Sequence, residues 1–310
     1  SLLTMADLAV SIVERPVSST EFTGVLPTLV RNLPRGSTFA QAGGRIVFGM
    51  YDAVSERTDL VVCLANETGY GATTTIVEGV EGLGRILLAE IGEDAFLLVW
   101  EERPGVVANP AARSVLRAAR CTAGTWQPPQ TVLALNGYLR DMAVFSSTAT
   151  NSLVFAQSPS PDDDPATAIH AVGYDAAADV WDAVRTVQTL ADRRDLAMAS
   201  AGWTSPEPGR LVTLSEAGGV DSLYWDGARA SVSGGVASVR ISAATADAVA
   251  LCAAGTNETL YATWVDGDGA LKLNRYDPDP LRNPLDPDYD WNGRDAAQLW
   301  PAVTNRATID

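Results

Sequence analysis

Arg140-Asp141-Met142-Ala143-Val144-Phe145 is a short run that this chain repeats. It recurs as Arg194-Asp195-Leu196-Ala197-Met198-Ala199 and then as Asp247-Ala248-Val249-Ala250-Leu251-Cys252. A fourth copy reads Arg294-Asp295-Ala296-Ala297-Gln298-Leu299. Looser copies open at Gly36 (Gly36-Ser37-Thr38-Phe39-Ala40) and at Gly84 (Gly84-Arg85-Ile86-Leu87-Leu88). Units therefore open near 36, 84, 141, 195, 247 and 295, a recurrence of about 50 residues. Each copy reads as a strand rich in small residues, entered from a turn.

Working outward from these copies, the rest of each unit is also strand-like. Arg45-Ile46-Val47-Phe48-Gly49-Met50-Tyr51, Ala95-Phe96-Leu97-Leu98-Val99-Trp100 and Ser152-Leu153-Val154-Phe155-Ala156-Gln157 are apolar runs bounded by Gly, Pro, Asn and Asp. Only windows such as 187–200 carry a pattern that suits a helix. In the unit opening at Asp141 we expect strands at 142–146, 152–157 and 168–174, and after Trp181 at 184–190. The preceding unit reads 85–90, 95–101 and 114–121, then Trp126 and 129–135. Four antiparallel strands at this period predict an all-β fold, a six-bladed β-propeller. Small residues such as Ala143, Ala197 and Ala250 suit the crowded inner strands. Residues 295–310 and 1–35 together make one unit, with strand-like runs at 8–14, 20–26 and 28–33. The last blade is thus expected to be closed by N-terminal strands pairing with a C-terminal strand, which removes free sheet edges. Two stacked β-sandwiches are the competing architecture. Between Tyr276 and Asp295, Pro278, Pro280, Pro284 and Pro287 remove ladder donors, so a loop or an irregular edge is expected there.

Composition narrows the function. The 310 residues are 46% hydrophobic and 19% charged, with 38 Asp+Glu against 22 Lys+Arg and a net charge of −16. Such a chain buries a large core, and its acidity disfavours nucleic acid, whose phosphates call for clustered Lys and Arg. Lys272 is the sole lysine. No run of 18 apolar residues is present, so no membrane insertion is expected. The start lacks a signal-peptide pattern, and the ends look clipped, as in a monomeric domain cut from a larger chain. Cys63, Cys121 and Cys252 sit in apolar strands without the spacing of a disulfide framework or a zinc site. The sequons at Asn66 and Asn257 read as chance.

One passage carries a resemblance. Leu98-Val99-Trp100, Leu116-Arg117-Ala118-Ala119-Arg120 and Gly124-Thr125-Trp126-Gln127-Pro128-Pro129 together resemble the blades of secreted bacterial β-propeller modules. The passage from Tyr174-Asp175 to Trp181, with the size and blade number, is similar to six-bladed fucose-binding lectins. The first resemblance implies an extracellular or cell-surface location. The second implies sugar sites between blades, built from an Arg, a Glu on the next strand and aromatic walls. Here Glu101, Glu102 and Arg103 occur once, and Gln157-Ser158 take their place in the following unit.

Catalytic chemistry finds little material. The sole histidine, His170, falls in the alternating strand Ala168-Ile169-His170-Ala171-Val172, where a structural role is expected. No nucleophile elbow, phosphate loop or dinucleotide fingerprint occurs. Asp141, Asp195, Asp247 and Asp295 could supply a glycosidase-type pair, but their repetition points to a structural duty: accepting backbone N–H groups where the inner strand begins. Asp162-Asp163-Asp164 and Asp286, Asp288 and Asp290 are weak calcium candidates, in loops rich in hard oxygen ligands; no other cofactor is expected. Asp266-Gly267-Asp268-Gly269 reads as a hairpin turn. For ligand contact the candidates are Trp100, Arg103, Arg117, Trp203, Trp225, Trp264, Arg275 and Tyr276, since aromatic and Arg side chains favour sugar stacking and protein hot spots. The expected function is a non-catalytic binding module with a protein or glycan partner. A lectin-like propeller and a carboxylate-dependent glycoside hydrolase are the alternatives.

Overall fold

The computed structural model describes residues 39–66, 69–106, 113–146, 150–159, 167–190, 193–200, 209–215, 219–226, 231–232, 239–242, 246–254, 259–267, 269–276 and 297–300. Among these there is no helix, and every strand pairing is antiparallel. The strands form five sheets in chain order. The first contains β1 (Phe39–Ala42), β2 (Arg45–Asp52), β3 (Arg57–Asn66), β4 (Gly69–Tyr70) and β5 (Thr74–Val80). The second contains β6 (Ile86–Gly92), β7 (Ala95–Glu102), β8 (Val115–Thr122), β9 (Thr125–Trp126) and β10 (Gln130–Ala134). The third contains β11 (Tyr138–Ser146), β12 (Asn151–Ser158), β13 (Thr167–Asp175), β14 (Val180–Trp181) and β15 (Arg185–Leu190). The fourth contains β16 (Arg193–Ser200), β17 (Gly209–Ser215), β18 (Val220–Asp226), β19 (Ser231–Val232) and β20 (Val239–Ser242). The fifth contains β21 (Ala246–Ala254), β22 (Thr259–Asp266), β23 (Leu271–Tyr276) and β24 (Ala297–Trp300). The window 187–200, which could suit a helix, is strand in β15 and β16.

The expected four strands are present, with one refinement. In the first four sheets the outer strand is split. A two-residue piece (β4, β9, β14 or β19) pairs with the end of the third strand, and the longer outer strand pairs further along it. The residue after the split keeps the ladder bond in three sheets: Gly71 N–H to Leu64 O at 2.8 Å, Gln127 to Arg120 at 2.7 Å, and Asp182 to Gly173 at 2.9 Å. Pro128 and Pro129 lack donors and fall in this gap. Gly124, at φ +80°, makes the turn before Trp126. Trp181 packs against Tyr174 with ring centroids 4.6 Å apart and the rings tilted, and Trp126 packs on the core shared by the first two sheets. The Gly-x-Trp-x-Pro-Pro signature thus describes how an outer strand begins and breaks.

The apolar second and third strands are buried on both faces. On β2, Val47 points one way and Ile46 and Phe48 the other, yet each is within 1% of complete burial. On β12 the same holds for Val154 against Leu153 and Phe155. A sheet covered on both sides belongs between neighbours, not on a solvent-facing layer. By compactness the chain divides into Ser1–Ala89 with Asp94–Ala134, and Glu90–Glu93 with Leu135–Asp310. In the first unit, Val47, Leu60 and Val62 of the first sheet share a core with Phe96, Leu98 and Trp100 of the second. In the second unit, Ala143, Phe145, Val154, Ile169 and Ala171 of the third sheet pack with Leu196 and Met198 of the fourth.

Two expectations shift. The inner strands β11, β16 and β21 each carry an irregularity at the same place: between Leu139 and Asp141, Arg193 and Asp195, and Ala246 and Ala248. The extra residue is Arg140, Arg194 and Asp247 in turn, so Asp247 stands where the other units have Arg, and Ala248 where they have Asp. Residue type alone could not place a bulge. Secondly, Ala297–Trp300 pairs with β23, Leu271 opposite Trp300. That makes it the outer strand of the fifth sheet, where the sequence suggested the inner strand of a closing blade. A strand of only four residues, Ala-Gln-Leu-Trp, fits either position, and β23 needs a partner on that side. Residues 1–35, the stretch 277–295 that the sequence reads as a loop or irregular edge, and the remainder of the closing unit lie outside the described residues.

Candidate functional site

Sequence candidates converge at one end of the second sheet. Strand β7 is apolar through Trp100 and turns polar at Glu101, Glu102 and Arg103. The crossover from the first sheet, residues 81–85, is bonded along it. Gly84 N–H donates to Glu101 O at 2.9 Å, Glu101 N–H to Arg85 O at 2.9 Å, and Arg103 N–H to Glu81 O at 3.0 Å. Gly82 adopts φ +59°, a left-handed turn suited to glycine. At Gly84 a Cβ would collide with the Glu101 carboxylate. That carboxylate accepts from Ser114 Oγ at 2.6 Å. Arg117 lies opposite Trp100 in register and sits 3.7 Å from Glu102. Arg57 lies 3.6 Å from Glu81 and donates to Gly79 O at 3.0 Å. The end of the sheet is therefore a charge-balanced polar rim over an apolar body.

Trp100 and Arg117 are brought together here as cross-strand neighbours, and Arg103 lies just past the end of β7, each in a different environment. Trp100 is 0% exposed and belongs to the core shared by the first two sheets, so its ring offers no face to a ligand. Arg103 is exposed, and Arg117 is half-buried. Trp264 on β22 is buried too, opposite Lys272, which reaches Asp266 at 3.3 Å. Trp225 stands on β18 opposite Val232, Arg275 opposite Tyr261 and Tyr276 opposite Leu260. Trp203 and the calcium candidates Asp162, Asp163, Asp164, Asp286, Asp288 and Asp290 lie outside the described residues. Glu81 and Ser114 also belong to the rim. Their signal was the glycine pair flanking Leu83, which lets a crossover approach a strand closely. Among the described residues, no three His, Cys, Asp or Glu side chains converge as a metal site would require.

The carboxylate that can be followed is occupied. Asp141 Oδ2 accepts the backbone N–H of Met198 at 2.8 Å, joining the inner strands of the third and fourth sheets. The repeat suggested that these aspartates take backbone donors, and this one takes its donor from the neighbouring sheet. Asp195 stands on β16 and Asp247 on β21, while Asp295 lies outside the described residues. Replacing Asp141 with Ala leaves the Met198 amide without its acceptor, at a cost of about 1–3 kcal/mol. Asp141→Asn, which keeps an oxygen there, should cost less; urea midpoints of the three proteins check this.

Hydrogen bonds from Val54 N–H and Ser55 Oγ hold the Asp52 carboxyl below its ordinary range at the β2–β3 turn. The turn at Asp266 is the expected hairpin: Gly269 N–H donates to Asp266 O at 2.8 Å, and Ala270 N–H to Oδ1 at 2.9 Å. Burial pushes the Cys63 and Cys121 thiols up, which makes them inert hydrophobes and poor nucleophiles. His170 stacks on Phe155 at 5.1 Å, and its Nδ1 lies 3.2 Å from Thr186 Oγ1.

Burial lowers the His170 ring below its ordinary value of 6.5. The unfolded ring therefore takes up a proton more readily than the folded one. Its stabilising contribution is whole above pH 6.5 and is lost as the pH falls through that value toward the lower folded one. Wild-type urea midpoints should drop on acidification by more than those of His170→Gln. Equal drops would mean that the ring carries none of the pH dependence.

No protein-family model matches the chain, and no curated protein matches it. Among solved structures it is similar to the BP39L lectin of Burkholderia pseudomallei, at 15% identity and a TM-score of 0.53, over 86% of this chain and 71% of that one. The fold is that of a β-propeller. The fungal lectin of Aleuria aurantia, described as a six-bladed β-propeller with a novel mode of fucose recognition, covers 86% of this chain and 78% of its own at 14% identity and a TM-score of 0.47. An exo-β-1,3-galactanase from Phanerochaete chrysosporium covers 81% and 61% at 12% identity and a TM-score of 0.43. At 15% identity the likeness to the Burkholderia lectin is one of fold, and a fold does not by itself set a function.

Proposed function

We propose that this propeller is a non-catalytic binding module of a larger secreted or cell-surface protein, presenting loops and sheet ends to a protein or glycan. The observation that carries this reading is the engagement of Asp141. At the repeated acidic position, the best source of an acid/base pair in the sequence, Asp141 Oδ2 accepts the Met198 backbone N–H at 2.8 Å. His170, half-buried on a strand and stacked on Phe155, supports the same reading. A glycan partner is favoured at the second sheet's rim, where Arg103, which follows Glu101 and Glu102 at the end of β7, faces solvent. Calcium, if bound, belongs to Asp162–Asp164 and the 286–290 loop, and its removal by chelation would lower the melting temperature.

The reading includes six blades. With Ala297–Trp300 in the fifth sheet, the sixth is assigned to residues 301–310 and 1–38, together about one unit in length. A glycan array tests the partner class. Binding that Arg103→Ala abolishes without a change in melting temperature supports the glycan reading at this rim. An array without signal leaves a protein partner as the reading.

A further inference from the structure

Trp100 and Arg117 hold two hydrogen-bond donors that meet no acceptor among the described residues. Trp100 Nε1 and Arg117 Nε are both buried and without a partner among the described residues. The two residues are direct cross-strand neighbours on β7 and β8, a relation that brings side chains within reach of one another. By strand alternation both lie on the face that carries Leu98, Ala119 and Cys121 toward the first sheet, with Leu83 of the crossover packed against the same core. Trp100 is 0% exposed, so its indole N–H cannot turn to bulk solvent. Buried donors are almost always met, by protein or by an ordered guest.

We infer that this pair forms a binding site for one neutral hydroxyl oxygen beneath the 81–85 crossover. An oxygen is required because both unmet groups donate. It is neutral because Glu102, 3.7 Å from the Arg117 guanidinium, already supplies the opposing charge. The two sources of this chemistry are a water and the hydroxyl of a small ligand entering past the rim. Arg117, whose side chain is 32% exposed, marks the way in. The site does not depend on the binding function proposed above.

The test uses the full chain with ¹⁵N-labelled tryptophan. Trp100→Phe identifies the Trp100 indole resonance by its disappearance. The wild-type indole N–H is expected to show cross-relaxation with a slowly exchanging water, and Arg117→Lys, which keeps the charge but loses Nε, is expected to weaken it at least severalfold. An excess of a methyl glycoside separates the sources. Loss of the water signal with a shift of the Trp100 peak assigns the oxygen to a ligand, and an unchanged spectrum assigns it to water. An indole N–H with no contact to water or ligand hydrogens would overturn the proposal, as would a water signal that Arg117→Lys leaves intact. A glycan array without signal does not bear on this readout, so the two proposals fail separately.

Discussion

Removal of residues 1–33 should unfold the chain or leave it melting far below the full-length protein. Ile46, Phe48, Val61 and Cys63 are each no more than 3% exposed. They lie on the face of the first sheet opposite Val47, Leu60 and Val62, the face that packs on the second sheet. Something other than the second sheet must cover them. Each large side chain returned to water costs about 1.5–3 kcal/mol, and three such losses approach the whole stability of an ordinary domain, about 5–15 kcal/mol. The sequence places strand-like runs at 8–14, 20–26 and 28–33, of the right length to supply that cover. A truncated protein with an unchanged melting temperature would refute closure by the N-terminal segment.

Trp100→Ala should destabilise the protein by about 3–5 kcal/mol, the range for deleting a buried aromatic side chain. At about 2–4 °C for each kcal/mol in a chain of this order, the melting temperature should fall by roughly 6–20 °C. The reason is position. Trp100 belongs with Leu60, Leu98 and Ala119 to a core shared by two sheets, and neither sheet can close over the cavity alone. Trp100→Phe keeps most of the volume and should cost less. Arg103→Ala, at an exposed site, should stay within about 0.5 kcal/mol of wild type. If Trp100 were a stacking platform for sugar, Trp100→Ala would remove binding and spare stability. The opposite pattern is expected.

The architecture was legible because two patterns coincide. The small-residue inner strands recur, and apolar runs such as Phe96–Trp100 and Leu153–Ala156 show no polar alternation, the mark of strands buried on both faces. The third sheet was expected at 142–146, 152–157, 168–174 and 184–190. It forms at Tyr138–Ser146, Asn151–Ser158, Thr167–Asp175 and Arg185–Leu190. The split outer strand was visible only as a motif, because Trp126 and Trp181 mark its start without saying that pairing resumes after the gap. Ala297–Trp300 differs from the expectation for a physical reason: a four-residue strand, Ala-Gln-Leu-Trp, is too short to carry a pattern that separates inner from outer position.

Site reading was harder still. An aromatic residue on a strand looks the same in sequence whether it stacks on a ligand or fills a core. Trp100 and Trp264 fill cores. Asp141 was legible as a structural acceptor because it repeats, but its donor, Met198, lies 57 residues away, beyond any local pattern. The Glu81–Gly84 crossover carried a usable signal in its two glycines, since Gly84 is the residue that lets Glu101 approach.

The central claim is that this propeller binds without turning over its ligand. The direct measurement is mass spectrometry of a panel of oligosaccharides and aryl glycosides after prolonged incubation with the full chain, with and without calcium. The account predicts every substrate recovered intact, including any that the protein retains on an array. Cleavage that scales with protein concentration, and that a single Asp or Glu substitution abolishes while the fold is preserved, would contradict it.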